Sequence, residues 1–387
     1  MKKLLMATCV AATLAGCGGS GSAGQESPRA MARMANLTAA RNGTSSGVSV
    51  DVADERTASA AAPASKALAN GKMVLAYYSG YSNNYNSLTK FYANVNAVSI
   101  DFWNMASDGT VVGNGDPTPT NAITFLKSKG IAIYGCISNV SATAPDGWDP
   151  ELSHAVTGAK RAASVANLVS FAKANGFAGI NIDFEEVDQA DRKNMSDFAA
   201  ALATALHAQG MKLIMTVPAF SFTDENNSHN LAFDLQALGQ AADYVQVMTY
   251  DETIPSWASG PVAGSDWMEN ALDYATSKVP ASKVLNGIPA YGYDWIAEGD
   301  GSQLFWRNVP ALLSKYHVTP KYDNNANAIS FNYTAGGRKH TVWNENAKSV
   351  TLKTSLVGAY GLAGTSIYAF GMEDASFWTA VNAGLNQ

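Results

Sequence analysis

The run Gly176-Phe177-Ala178-Gly179-Ile180-Asn181-Ile182-Asp183-Phe184-Glu185-Glu186 sets three polar side chains two residues apart among apolar ones. In an extended chain successive side chains alternate, so Asn181, Asp183 and Glu185 share one face while Ile180, Ile182 and Phe184 share the other. At ~3.4 Å per residue, Asp183 and Glu185 stand ~7 Å apart along the chain, within reach of one hydrogen-bonded network. Carboxyl groups are costly in a packed interior unless partnered, so such a ladder on an apolar strand reads as a site rather than as core. Its chemistry is proton transfer, in which one carboxyl donates and accepts a proton while its neighbour tunes it. Glu186 has the opposite parity and reads as a solvated loop carboxylate.

Other constellations carry less. The five histidines, His154, His207, His229, His317 and His340, are scattered, with no HExxH spacing and no Cys/His cluster, so neither a metal site nor a cofactor is expected. Cys136 stands alone in the apolar run Ile131 to Ile137; a catalytic thiol is conceivable there, but the position reads as a small buried hydrophobe. Cys9 falls in a segment that reads as a removable export signal and Cys17 at its lipid-anchoring end, so Cys136 is left alone and no disulfide framework is expected. Gly18-Gly19-Ser20-Gly21 lacks the Lys-Ser/Thr of a phosphate loop and reads as flexible spacer. The formal net charge of −6, with only 15% charged residues, offers no basic surplus for nucleic acid.

The elements that must position the ladder follow from the rhythm of the chain. From Met73 onward, short apolar runs alternate with amphipathic stretches of helical length. Strands are predicted at Met73-Tyr78, Ala97-Trp103, Ile131-Ile137, Phe177-Glu185, Lys212-Pro218, Tyr244-Tyr250, Val284-Ala290 and Thr365-Phe370. Helix-like segments lie between them, among them Asn121-Lys129, Ala159-Ala174, Arg192-Ala208 and Trp267-Lys278, several closed by a glycine just past the end (Gly130, Gly176, Gly210). Eight parallel strands with intervening helices suit the α/β class and a (β/α)8 TIM barrel, occupying residues 71–387. The polar set of the fourth strand would then point inward, with Glu185 nearest the active face. The gap between the seventh and eighth strands exceeds one crossover. Ala328-Tyr333 and Lys339-Trp343 alternate around Thr334-Ala335-Gly336-Gly337 there, predicting a β-hairpin in a small α+β lobe inserted at about 296–345.

The ladder resembles the fourth-strand motif D-G-x-D-x-D-x-E of the family 18 glycoside hydrolases, which include chitinases and peptidoglycan-cleaving endo-β-N-acetylglucosaminidases. It matches at Gly179, Asp183 and Glu185 and departs at Ala178 and Asn181; Asn at that middle position is similar to the branch acting on bacterial cell walls. Met248-Thr249-Tyr250-Asp251 resembles the family's sixth-strand M-x-Y-D, Gly287-Ile288-Pro289-Ala290-Tyr291-Gly292 its seventh, and Val342-Trp343-Asn344-Glu345-Asn346-Ala347 a segment before the eighth. Alone, Tyr250-Asp251 at a strand end is as readily a capped turn as a site.

The resemblance implies substrate-assisted hydrolysis, an exception to the two-carboxylate scheme. Glu185 would protonate the glycosidic oxygen and later activate water, while the substrate's own 2-acetamido carbonyl attacks the anomeric carbon. Asp183, Tyr250 and Asp251 would hold the acetamido group and offset the developing charge. Asn181 cannot share a proton with Asp183, so Asp183 is expected to stay turned towards Glu185. Aromatic candidates for a sugar cleft are Tyr78, Trp103, Trp257, Tyr291, Trp295 and Tyr368, the last standing where the family usually has a Trp under the reacting sugar. Asn181, Met248, Tyr78, Trp103, Tyr291 and Tyr368 are the expected substrate contacts. The implied partner is a polysaccharide or oligosaccharide built on β-1,4-linked N-acetylglucosamine, with chitin, peptidoglycan and N-glycan all open. The competing function is a surface glycan-binding protein that does not hydrolyse, although family lectins typically lack the motif's glutamate.

Met1 to Gly16 reads as an export signal, with Lys2 and Lys3 before the apolar Leu4 to Leu14. Leu14-Ala15-Gly16-Cys17 resembles the lipobox of bacterial lipoproteins, which implies lipidation of Cys17; an ordinary secretory signal is the alternative. Residues 17–70 are rich in Ala, Ser, Gly and Thr and read as a flexible tether. The expectation is an exported monomer, periplasmic or at the cell surface, held to the membrane only by its lipid, at the outer membrane where one exists.

Overall fold

The computed structural model describes residues 71–141, 144, 147–222 and 231–387. The export signal, Cys17 and the tether lie outside the described residues.

Eight parallel strands close on themselves. β1 (Met73–Tyr78), β2 (Ala97–Met105), β4 (Ala132–Ser138), β5 (Gly179–Asp183), β6 (Lys212–Pro218), β7 (Tyr244–Met248), β8 (Val284–Pro289) and β14 (Gly364–Tyr368) pair in sequence order, and β1 pairs with both β2 and β14. A short antiparallel strand, β3 (Val111–Gly113), extends β2. The fold is the (β/α)8 barrel expected from the rhythm of the sequence, and each predicted strand overlaps its observed counterpart.

The alternation read in the β5 segment is physical. Ile180 and Ile182 are fully buried, and Phe184 stacks on Phe198 of the helix Arg192–His207 with ring centroids 5.9 Å apart and planes 15° off parallel. These side chains tie the strand to the helical layer and commit the other parity to the barrel interior. On the neighbouring β4, Gly135 faces the helices, where an added Cβ would lie 3.0 Å from Phe171 and 3.3 Å from Phe177.

A second sheet is inserted between β8 and β14. β9 (Tyr291–Ala297), β10 (Asp300–Phe305), β11 (Lys321–Asp323), β12 (Ala328–Ala335) and β13 (Arg338–Asn344) form the antiparallel order β10-β9-β13-β12-β11. The helix Val309–Tyr316 packs on it around Val309, Phe331 and Val342. The β12–β13 turn is made by Gly336 and Gly337, at φ 56° and 77°, as a two-residue hairpin of positive-φ residues demands. The sheet starts at Tyr291, ahead of the position 296 read from the sequence, because β9 leaves β8 after the single residue Ala290. That early start matters for the site.

Candidate active site

The inward ladder of β5 is built in layers. Asn181, fully buried, is the deepest polar group: its Nδ2 donates to Tyr77 Oη and Ser99 Oγ, both at 3.0 Å, and its Oδ1 accepts from Thr216 Oγ1 at 2.9 Å. Tyr77 Oη also lies 3.1 Å from Thr216 Oγ1 and from Gln246 Oε1. One network therefore joins β1, β2, β5, β6 and β7, satisfying every polar group it buries, as a low-dielectric interior requires. Burial, reinforced by the charge of Asp183, holds the Tyr77 phenol well above its ordinary pKa, so it stays neutral. Asn181 thus braces the site from below, which corrects the expectation that it touches substrate.

Asp183 occupies the next layer. Its Oδ2 lies 3.8 Å from Cys136 Sγ, and Cys136 Sγ is 3.6 Å from Asn181 Nδ2. Asp183 therefore directs one oxygen down into the barrel, beside a thiol that the sequence reading leaves among the core hydrophobes. Register explains it: Cys136 pairs with Asn181 and Ser138 with Asp183, so β4 presents Cys136 on the same inward face. The signal was present in the sequence as the shared parity of Cys136 and Ser138.

Glu185 lies two residues past the end of β5, beyond the strand ladder. Asn139, immediately after β4 and fully buried, holds it instead. Asn139 Oδ1 accepts from the Glu185 backbone N–H at 2.9 Å, and Asn139 Nδ2 donates to the Glu185 carbonyl at 2.7 Å. The same Nδ2 reaches the Asp149 carbonyl at 3.2 Å, and the Asp149 N–H returns to the Asn139 carbonyl at 3.0 Å. Glu185 is consequently fixed at the C-terminal mouth while only 5% exposed. Glu186, with φ 53°, turns the chain out of this grip and is half-buried.

Two strands round the mouth from β5, Tyr250 and Asp251 follow β7. Asp251 adopts φ 64°, and its Oδ1 accepts from Tyr291 Oη at 2.7 Å and Tyr293 Oη at 2.6 Å. Both tyrosines come from β9, so the inserted sheet begins where it must to hold Asp251. Burial first, and then the neighbouring Asp251 charge, pushes both phenols well above their ordinary range. Tyr291 therefore serves the site through Asp251. Tyr368, at the end of β14, packs with ring centroids 5.5 Å from Tyr77, 6.0 Å from Tyr250, 6.1 Å from Tyr81 and 6.2 Å from Tyr291. Tyr81, whose hydroxyl is 3.4 Å from that of Tyr368, is a floor residue that sequence reasoning missed. Met248 ends β7 on the same parity as the inward Gln246 and is 5% exposed.

Two expected contacts fall elsewhere. Trp103 would share the inward parity of Ser99, but the β2–β4 register shifts between Asp101 and Trp103, so Trp103 pairs with the outward Ile137. A bulge of this kind flips every later side chain. Its ring sits 5.0 Å from Phe171 and 5.7 Å from Phe177, in the layer between barrel and helices. Tyr78 alternates with the inward Tyr77 and stacks on Phe102 at 6.0 Å. Of the remaining aromatics, Trp295 is buried 5.6 Å from Tyr293, whereas Trp257 is 44% exposed on the loop after β7. A groove of about 610 Å³ opens beside the site between the ends of β2 and β4 and the start of the helix Pro150–Thr157, lined in part by Asn104, Asn114, Ser141, Asp149 and Glu151.

A carboxyl held at the C-terminal mouth of a parallel barrel, backed by a second carboxyl and floored by tyrosines, defines an acid–base hydrolase of the barrel class. The chain belongs to glycosyl hydrolases family 18, whose model matches residues 73–373. It is 36% identical to the "Uncharacterized glycosylase YvbX" of Bacillus subtilis, over 81% of this chain and 91% of the relative. It is 31% identical to the cortical fragment-lytic enzyme of Bacillus anthracis, over 55% of this chain and 51% of the relative. The solved chitinase from Chromobacterium violaceum superposes with a TM-score of 0.80 at 56% identity, covering 82% of this chain and 99% of that one. The protein is a glycoside hydrolase.

Proposed function

We propose that the protein cleaves β-1,4-linked N-acetylglucosamine-containing glycans, chitin or peptidoglycan strands, by a substrate-assisted retaining mechanism with Glu185 as acid and base. The observation that carries this reading is the grip of Asn139 on the Glu185 backbone, which fixes Glu185 at the mouth directly beyond the buried Asp183 and two strands from the Tyr250–Asp251 turn. Glu185 donates its proton to the glycosidic oxygen as the C–O bond breaks. The substrate's 2-acetamido carbonyl oxygen forms the new bond to the anomeric carbon, giving an oxazolinium ion. Asp183 orients the acetamido N–H and offsets the positive charge, while Tyr250 and Asp251 hold the same group from the end of β7. Glu185, now a carboxylate, takes a proton from water as that water opens the ring, with net retention.

Chitin is the first substrate to test, supported by the 56% identity to the Chromobacterium violaceum chitinase. Mass spectrometry of products from chitin oligosaccharides, peptidoglycan glycan strands and N-glycans in parallel tests the substrate class. Release of new N-acetylglucosamine reducing ends supports the reading, and binding without any reducing-end release from the three overturns it. Export and anchoring through Cys17 are part of the same proposal; Cys17→Ser should release the protein from membranes and abolish palmitate labelling. A monomer is proposed, to be checked by light scattering.

A further inference from the structure

Thr249 stands between two residues of the site, Met248 and Tyr250, yet its hydroxyl is engaged with β8. The β7–β8 ladder runs Val245 to Val284, Gln246 to Leu285 and Val247 to Asn286, and ends there. The following residue of β8, Gly287, is buried and still needs partners for its backbone groups on that edge. Thr249 Oγ1 supplies them: it accepts from the Gly287 N–H at 2.7 Å and lies 2.8 Å from the Gly287 carbonyl and 2.7 Å from Asn286 Oδ1, two acceptors for its single proton. The Thr249 N–H turns back to the Val247 carbonyl at 2.9 Å, so β7 peels away from β8 at this point.

Gly287 also clears the path. A Cβ there would sit 2.7 Å from the Val247 carbonyl oxygen and 2.8 Å from Tyr250 Cε1, so the ring of Tyr250 lies across the face of β8 that Gly287 leaves bare. Beyond the pair, the Glu252 carboxylate accepts from the Gly264 N–H at 2.5 Å. Tyr250 and Asp251 are therefore suspended between two anchors, and the anchor nearer the barrel is one hydroxyl. Asn286 is itself fixed, its Nδ2 donating to the Lys353 carbonyl at 3.1 Å.

We propose that Thr249 is a positioning residue for the Tyr250–Asp251 pair, its hydroxyl replacing the missing ladder partner at Gly287 and so setting where the chain leaves β7 and aims both side chains into the mouth. The inference rests on the reading of Tyr250 and Asp251 as holders of the acetamido group. A merely structural anchor would lower the thermal midpoint and leave turnover per folded molecule unchanged. A positioning anchor moves kcat, because an error of about 1 Å in the attack geometry costs on the order of 100-fold.

The test is steady-state kinetics on a fluorogenic chitooligosaccharide, with thermal midpoints, for Thr249→Val, Thr249→Ser, Tyr250→Phe and Asp251→Asn. Thr249→Val is expected to lower kcat about 10- to 100-fold with little change in KM, and Thr249→Ser to stay within about threefold of the parent. Thr249→Val within about threefold of the parent, or Thr249→Ser falling as far as Thr249→Val, overturns the inference. If Thr249→Val does not fold, Thr249→Ala, which adds no apolar bulk, is held to the same thresholds. Should Tyr250→Phe and Asp251→Asn both keep the parent rate, the reading of the pair fails and Thr249's role falls with it. If those two lose activity while Thr249→Val does not, only the inference about Thr249 fails.

Discussion

Asn139 holds Glu185 by the backbone, accepting from its N–H at 2.9 Å and donating to its carbonyl at 2.7 Å. Glu185, the proposed acid, stands past the end of β5, so no strand ladder fixes it, and one buried amide performs that task from just after the adjacent β4. Asn139→Ala removes both bonds and leaves two backbone groups of Glu185 without them. A stability loss of about 1–3 kcal/mol is expected. Because a displaced acid damages the transition state more than the ground state, kcat should fall roughly 100-fold with KM nearly constant. Steady-state kinetics beside a thermal melt separates the two effects, and a melt-only phenotype would refute the positioning role.

The tyrosines that hold Asp251 are expected to remain neutral donors at high pH. Tyr291 and Tyr293 have folded pKa values raised above the unfolded one, so their contribution to stability is complete below the unfolded pKa, near 10, and is lost only as pH rises through the folded values. Ultraviolet titration of tyrosinate should show no ionisation from these residues until the protein unfolds. Parent, Tyr291→Phe and Tyr293→Phe should then give superimposable curves up to the unfolding pH, and a missing early step in either variant would contradict this.

Glu373 shows the same sign for a carboxyl. Its carboxyl is 3% exposed and bonded to Ser87 Oγ and Trp378 Nε1, and burial raises its pKa in spite of those bonds. With the folded pKa above the unfolded one, the protonated form favours folding at low pH, and this contribution disappears as pH rises through the folded value. Glu373→Gln, which keeps an acceptor for both partners, should raise the thermal midpoint at pH 8 and give no gain at pH 4. Equal midpoint shifts at both pH values would show that ionisation of Glu373 is irrelevant.

Trp103 tests the β2 bulge. Packed against Phe171 and Phe177 outside the barrel, it is expected to contribute to stability and not to binding. Trp103→Ala should cost about 3–5 kcal/mol in denaturant unfolding. Its kcat and KM, measured well below the midpoint, should match those of the parent; a raised KM would place the ring in the cleft.

Where the inserted sheet rejoins the barrel, Lys353 Nζ donates to both carboxylate oxygens of Glu345, at 2.7 and 2.6 Å, with neither side chain more than 1% exposed. Burial pulls the lysine pKa down and the glutamate charge opposes it. Glu345→Ala, leaving the ammonium buried without its partner, should cost roughly 3–5 kcal/mol, whereas the double change Glu345→Leu and Lys353→Met should cost far less. Urea denaturation of the two variants makes the comparison. An equal loss in both would show that packing, not charge pairing, matters at this junction.

Much of this architecture was legible because it depends on periods. The eight strands and the inward parity of Asn181 and Asp183 follow from alternation, and the hairpin around Gly336-Gly337 follows from turn chemistry. What escaped depends on register and on single residues between elements. Trp103 shares the parity of Ser99 in sequence, and only the bulge between Asp101 and Trp103 turns it outward. Tyr78 is the expected sugar contact by its place in the family resemblance, yet Tyr77 is the one that enters the barrel, and no sequence period shows which of two adjacent tyrosines does so. Cys136 resembles a core hydrophobe until its pairing with Asn181 places it beside Asp183. Asn139 and Tyr81 lie just beyond strand ends, where side chain–backbone bonds replace the ladder and no repeat marks them.

Glu185 is the proposed proton donor and acceptor of this glycoside hydrolase. The most direct measurement is turnover of a fluorogenic chitooligosaccharide by Glu185→Gln, with the thermal midpoint and oligosaccharide affinity measured on the same preparation. A fall in kcat of at least about 1,000-fold is expected, with midpoint and affinity essentially those of the parent. Turnover by Glu185→Gln at the parent rate would contradict it.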